Sequence, residues 1–415
     1  MTGRPSRRQL FGYAAAAAAG AVVTGGVVAG GVAGDFVALG KDSNAGSGNE
    51  PAALAADIDP YGDHQPAVAA PSPKHAELVA LNLLGGVDKA AVARLMRLWT
   101  ADIVALSAGR PAPGDTAPEL AVPNAALTVT VGLGSRIFTL PGLSSLKPGG
   151  LDDLPVMSHD RLNPSWSGGD LLLLVGADDA VSVVHAVRRL VADATPFAKP
   201  AWRQSGFSNG TGPDGKPVTG RNLFGQVDGS GNPAPGTPDF DTTVWSSDGP
   251  AWFRGGTTLV VRRIRMNLDT WDELTRAEQE RAIGRKLSNG APLTGAAEQD
   301  ELDLEERGSD GRLVIAENAH ARLSHHSENH GRRIFRKGLN YVHDTGATRE
   351  SGLIFLSYQA DVAGQFLPLL ARLDAADALN EWTTTIGSAV FAIPPGFHEG
   401  AWLAQSLLSP DAPVK

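Results

Sequence analysis

The feature that most constrains the fold is a change of apolar period that recurs along the chain. Residues 75–84 alternate between core-type and polar side chains and are rich in strand formers, so a strand is expected there. Asp88 then stands as an N-cap, and Val92, Leu95, Met96, Trp99, Ile103 and Leu106 follow at helical spacing. Residues 127–133 alternate again, and 171–175 follow Gly168-Gly169-Asp170 as a buried strand. Residues 178–192 form a second amphipathic helix, with Val181, Val184, Ala186 and Leu190 on one side. This order is that of a ferredoxin-like α+β unit. A Gly/Pro/Asn/Asp-rich stretch from 206 to 250 interrupts it, and loops of that length inside a domain are functional or lack fixed structure. Beyond it, a strand at 257–266, a helix at 271–283, a strand at 353–358 and a helix at 362–373 repeat the succession, without a detectable sequence repeat. The expectation is an α+β protein of two ferredoxin-like domains, 57–235 and 236–415, with residues 1–56 outside the fold.

Composition removes several function classes. The net charge of −9 comes without a long basic run, which argues against a nucleic-acid partner. There is no cysteine, so disulfides, iron–sulfur clusters and thiolate chemistry are excluded. Any metal must be held by His, carboxylate, Tyr or Met.

The first 34 residues read as an export signal. Arg7-Arg8, preceded by Ser6 and followed by Gln9-Leu10-Phe11, makes it a twin-arginine signal read by that export machinery. A membrane anchor is the alternative, but the stretch from 13 to 33 is rich in Ala and Gly and only weakly apolar. Cleavage anywhere between Gly34 and Ala56 would leave a secreted mature protein with no membrane span.

Three segments could carry chemistry. In Gly225-Gln-Val-Asp228-Gly229 an Asp lies between glycines: either an ordinary turn, or a loop approaching a flat ligand with the carboxylate aimed at it. Five of the ten histidines fall between 320 and 343, beginning at His320-Ala321-Arg322. A solvated polar stretch is one reading. Zinc on His326 and His330 with Glu328 nearby is another, although the H-E-x-x-H spacing is absent. In Arg332-Arg333-Ile334-Phe335-Arg336-Lys337-Gly338 a strand would turn one arginine inward, where it needs an anionic or polar partner.

Taken together and in this order, the three segments resemble the dye-decolourising peroxidase family. Its GxxDG loop matches Gly225–Gly229, its proximal histidine segment matches His320–Arg322, and its distal arginine segment matches Arg336-Lys337-Gly338-Leu-Asn-Tyr341. Residues 284–293 and 352–361 also look like the family, and the likeness runs from about residue 75 to the end. The resemblance implies one haem b held between the two domains, with hydrogen peroxide oxidising aromatic compounds and dyes. It implies His320 as iron ligand, Asp361 as acceptor for its ring N–H (a helix cap being the alternative role), and Arg322 on a haem propionate. Asp228 would accept and return the peroxide proton, and Arg336 would polarise the peroxide. Gly229 would let the backbone approach the haem, and Leu353 and Phe355 would form an apolar wall. Bulky substrates would be oxidised through surface Trp or Tyr residues, with Tyr341, Tyr358 and the eight tryptophans as candidates. Two rivals remain: an exported haem-handling protein of deferrochelatase type, and a non-enzymatic binding protein.

Overall fold

The computed structural model describes residues 57–409, apart from 124, 211, 213–215, 217, 345, 347 and 348. The twin-arginine motif, the apolar stretch after it and the expected cleavage region lie outside the described residues.

Eight antiparallel strands close into one barrel: β1 (His75–Leu83), β2 (Thr128–Gly134), β3 (Leu171–Ala177), β4 (Ala198–Phe207), β5 (Thr257–Met266), β6 (Phe335–Asp344), β7 (Arg349–Gln359) and β8 (Thr383–Ile393). Around the barrel the order is β1-β3-β2-β8-β5-β7-β6-β4. Cut at its two junctions, this gives β4-β1-β3-β2 and β8-β5-β7-β6, the same ferredoxin-like order twice. The expected α+β class therefore holds, but the two sheets are continuous with each other. One junction pairs Leu133 with Ala392 and Gly134 with Phe391, and the other pairs Phe207 with Asn340.

The sheet has two differently occupied faces because successive strand side chains alternate. Phe335, Leu339 and Tyr341 of β6 join Leu78, Leu172, Leu259, Ile354 and Phe391 in the barrel interior. On the outer face of the first half, Val79, Leu81, Val131 and Leu173 pack under helices Lys89–Ser107 and Ala180–Ala194. Asp88 caps the first helix by accepting from the Ala91 amide, as its position in the sequence predicts.

The second helix is phased differently from expectation. Val183, Ala186, Val187 and Leu190 are buried, whereas Val181 and Val184 are 52% and 53% exposed. The expected helix at 271–283 is two helices, Leu268–Asp272 and Arg276–Ile283, because Thr275 and Glu278 form a capping box that starts a new one. The 362–373 helix begins with one wide π turn, Val362–Phe366, before Leu367–Ala376. No helix among the described residues is long and apolar enough to cross a membrane.

Candidate active site

The outer face of the second half is not closed by packing. Arg262, Ile264 and Met266 of β5, Leu353 and Phe355 of β7, and Thr383 and Thr385 of β8 line a cavity there. Helix Leu367–Ala376 and the short helix His320–Ser324 cover it, and Met157, His159 and Asp160 come from the first half. A second cavity shares His320, Ile334, Arg336, Phe355, Leu369 and Leu373 as walls, so the two adjoin along one slot.

His320 reaches this slot from the first position of its helix, with its side chain 26% exposed. Its Nδ1 lies 2.5 Å from Asp377 Oδ2. Burial disfavours the imidazolium, but the charge and hydrogen bond of Asp377 outweigh burial and raise the His320 pKa above its ordinary value. With Nδ1–H donated to Asp377, Nε2 is the ring nitrogen free to act as a ligand.

This corrects the sequence reading. Asp361 is not the partner of His320; its carboxylate accepts from the Ala363 amide and caps the turn that opens the following helix. Asp377 itself follows the C-terminus of helix Leu367–Ala376, and its other oxygen accepts from the Leu379 amide. Nothing local in the sequence marks Asp377, because its pairing spans 57 residues.

Asp228 and Arg336 meet, with Arg336 Nε donating to Asp228 Oδ1 at 3.1 Å, and both line the cavity. The GxxDG segment is a turn, and the turn aims the carboxylate. Gly225 and Gly229 adopt φ of +80° and +128°, values that only glycine takes without strain. The Asp228 amide donates to the Gly220 carbonyl, and Asn222 Nδ2 approaches Asp228 Oδ2 at 3.4 Å. The Arg221 guanidinium ties the loop down by donating to the carbonyls of Gly225, Leu287 and Ser288.

Asn232 holds β6 from the same loop: its Oδ1 accepts from the Arg336 amide and its Nδ2 donates to the Arg336 carbonyl. Sequence reasoning missed Asn222, Arg221 and Asn232 as positioning residues, although all three lie within or beside the quoted motif. Gly338, on the same face of β6 as Arg336, leaves room for the carboxylate: a Cβ there would sit 3.3 Å from Asp228 Oδ2.

Strand alternation separates Arg336 from its neighbour. Lys337 points to the opposite face and donates its Nζ to the carbonyls of Ala67 and Ala70. Burial pushes its ammonium down to about 7.

Leu353 and Phe355 line the cavity. Gly229 does not; it borders a separate depression of about 530 Å³ that also reaches Asp228, Arg336 and Leu353. Its contribution is the chain reversal. Arg322 is also corrected. Helical geometry turns it away from His320, and its buried guanidinium donates to the carbonyls of Ile315 and Leu304 while facing Glu328. Besides Arg262 and Arg336, the slot is lined by Arg285, Arg332 and Arg333.

The zinc reading fails on geometry, since His330 terminates a 3-10 turn at φ +56° and Glu328 pairs with Arg372 at 2.6 Å. Tyr341 and Tyr358 are fully buried in the barrel, so neither is a surface residue.

Comparison with known proteins matches this architecture. Residues 65–208 fit the model of the Dyp-type peroxidase N-terminal domain, and residues 219–398 fit that of the C-terminal domain. The dye-decolorizing peroxidase of Thermobifida fusca (strain YX) is 39% identical over 363 residues, covering 83% of each chain. A deferrochelatase of Yersinia pseudotuberculosis serotype I (strain IP32953) is 33% identical over 371 residues, covering 84% of each. The crystal structure of a DyP-type peroxidase from Cellulomonas bogoriensis superposes with a TM-score of 0.81 at 46% identity, covering 86% of this chain and 99% of that one. The chain therefore belongs to the Dyp-type peroxidase family and is a peroxidase-class enzyme.

Proposed function

We propose that this protein is an exported haem b peroxidase that uses hydrogen peroxide to oxidise aromatic compounds and dyes. The observation that carries the reading is the slot with an anchored imidazole, His320, and an Asp228–Arg336 pair on its walls. The donor set fits haem. One imidazole has a free Nε2, Ile264, Ile334, Phe355, Leu369 and Leu370 supply apolar walls, and Arg285, Arg332 and Arg333 offer charge for two propionates. Solved relatives described as ferric or oxyferrous DtpA of Streptomyces lividans, at 39% identity, support an iron cofactor.

When bound, haem supplies the iron at which the peroxide O–O bond breaks and the oxidising equivalents that pass to the reducing substrate. His320 Nε2 is the ligand to that iron. Asp377 fixes the tautomer and makes the imidazole a stronger electron donor. Asp228 takes the proton from one peroxide oxygen and returns it to the departing one. A carboxylate can do this because its oxygens accept a proton and, once protonated, donate it. Arg336, whose guanidinium offers donors and no acceptor, cannot; it stabilises the negative charge developing on the departing oxygen. The Asp228 contact holds the guanidinium in place before peroxide arrives. Leu353 and Phe355 keep water from the site.

The deferrochelatase relative belongs to the same family, so the two readings are separated by the reaction product. The wild-type spectrum should show a Soret band that His320→Ala shifts or abolishes. In stopped-flow mixing with peroxide, Asp228→Ala and Arg336→Leu should each slow the first step by about 10²-fold or more. Free porphyrin as the product, or full turnover without His320, would overturn the reading.

Export rests on Arg7-Arg8. Replacing both by lysine should leave the protein in the cytoplasm, and unchanged secretion would remove that part. Electron transfer from the surface would use partly exposed tryptophans such as Trp166, Trp245 and Trp402. Dye turnover unaltered by Phe at all three would discard it.

A further inference from the structure

We propose that Asp102 and Asp193 hold one proton between them, and that this proton makes the helix layer over the first half of the barrel a pH-sensitive latch. The layer is tight in acid and loosens once the proton leaves. The proposal stands apart from the haem reading, because neither carboxyl lines the slot.

Asp102 lies in helix Lys89–Ser107 and Asp193 in the last turn of helix Ala180–Ala194. Their side chains are 3% and 7% exposed, and a single arginine serves both. Arg189 Nε donates to Asp102 Oδ2 at 2.8 Å, and its Nη2 donates to Asp193 Oδ1. The two carboxyls are also within hydrogen-bonding reach of each other. Asp193 Oδ2 is buried and meets no donor. A buried carboxylate oxygen in that state is costly. One proton on the pair removes the cost, because one carboxyl then donates to the other. Position assigns that proton to Asp193. Negative charge is unfavourable at a helix C-terminus, whereas Asp102 sits mid-helix.

The surroundings offer the second carboxylate no further cation. Behind Arg189, Asp115 Oδ2 lies 2.8 Å from His185 Nε2, so that histidine is engaged and Asp115 competes for the same guanidinium. Arg97, Arg110, Glu119, Arg188 and Lys199, on the neighbouring elements, are exposed to solvent. From below, β1 and β3 meet the helices with Val79, Leu81 and Leu173. Burial, and then Asp102, push the Asp193 carboxyl up to about 7 against the pull of Arg189. A carboxyl raised above its unfolded value of about 3.9 keeps a proton that the unfolded chain has lost. Its contribution to stability therefore declines between about pH 4 and pH 7 and is flat above that. The first helix also carries Thr100, whose Oγ1 accepts from the Leu403 amide, so loosening reaches the C-terminal segment.

The test is the melting temperature of the haem-loaded protein from pH 4 to pH 8, wild type against Asp193→Asn. The asparagine amide can still donate to Asp102 but holds no titrating proton. The variant should melt with the wild type near pH 4 and several degrees above it at pH 8, with the Soret band in place. Infrared difference spectra between pH 5 and pH 8 should carry a carboxylic-acid band in the wild type that Asp193→Asn and Asp102→Asn each remove. A melting gap that does not change with pH overturns the proposal. So does a wild type without that band, or a band that survives both substitutions.

Discussion

A single carboxylate position separates two explanations of how His320 is oriented. Asp377 is buried, 2.5 Å from Nδ1, and also accepts from the Leu379 amide, whereas Asp361 only caps a turn. Asp377→Asn keeps the cap through its amide oxygen but removes the charge that strengthens the imidazole. Haem affinity should then fall roughly 10–100-fold, with a lower iron–histidine stretching frequency in Raman spectra. Asp361→Ala should leave that frequency unchanged and cost about 0.5–2 kcal/mol of stability from the lost cap. Equal spectral effects from the two variants would return Asp361 to the site.

At the scale of elements, helix Leu367–Ala376 is the part that joins the two halves around the slot. Its Asp374 accepts from the amides of Ser158 and His159, from Ser158 Oγ and from His159 Nδ1, all between 2.9 and 3.2 Å. Burial pushes this carboxyl upward, but those hydrogen bonds outweigh it and hold the pKa at about 2. A carboxylate depressed in the folded state stabilises above its unfolded pKa of about 3.9, and that contribution disappears as the pH falls toward 2. Asp374→Asn should therefore cost on the order of 1 kcal/mol at pH 7, after allowing for solvent screening, and progressively less between pH 4 and pH 2. Denaturant midpoints across that range measure it, and a gap that does not narrow with acid would refute the linkage. The same helix lays Leu369, Leu370 and Leu373 against the slot, so loosening the clamp should also disturb the apolar wall.

For the whole molecule, the two ferredoxin-like halves share both their sheet and their cores. The cluster under helix Lys89–Ser107 includes Val362, Phe366, Val390 and Phe397, and the barrel-interior cluster draws on seven strands from both halves. Neither half can keep its buried surface alone. Unfolding in urea should be one transition, with tryptophan fluorescence and far-ultraviolet circular dichroism coinciding. The β2–β8 junction is tight: a Cβ on Gly134 would lie 2.0 Å from the Gly169 carbonyl oxygen. Gly134→Ala should cost about 1–3 kcal/mol from overpacking and shift both signals together. Two separated transitions would mean that the halves are independent domains.

What the sequence determined by itself was whatever is encoded locally. Period-two alternation set strands such as β1, Asp88 started a helix, and the glycines around Asp228 specified the reversal that aims it. Alternation required only that one arginine of the 332–336 run turn inward, and the resemblance to a known family singled out Arg336. Local pattern also misled: two exposed valines, Val181 and Val184, shifted the apparent face of the second helix by one position. The tertiary structure alone decided which carboxylate meets His320, where Arg322 spends its hydrogen bonds, and that two sheets join into one barrel. Each depends on groups far apart in the chain, brought together only when packing fixes the backbone, and a charge or donor then takes the partner that packing leaves within reach.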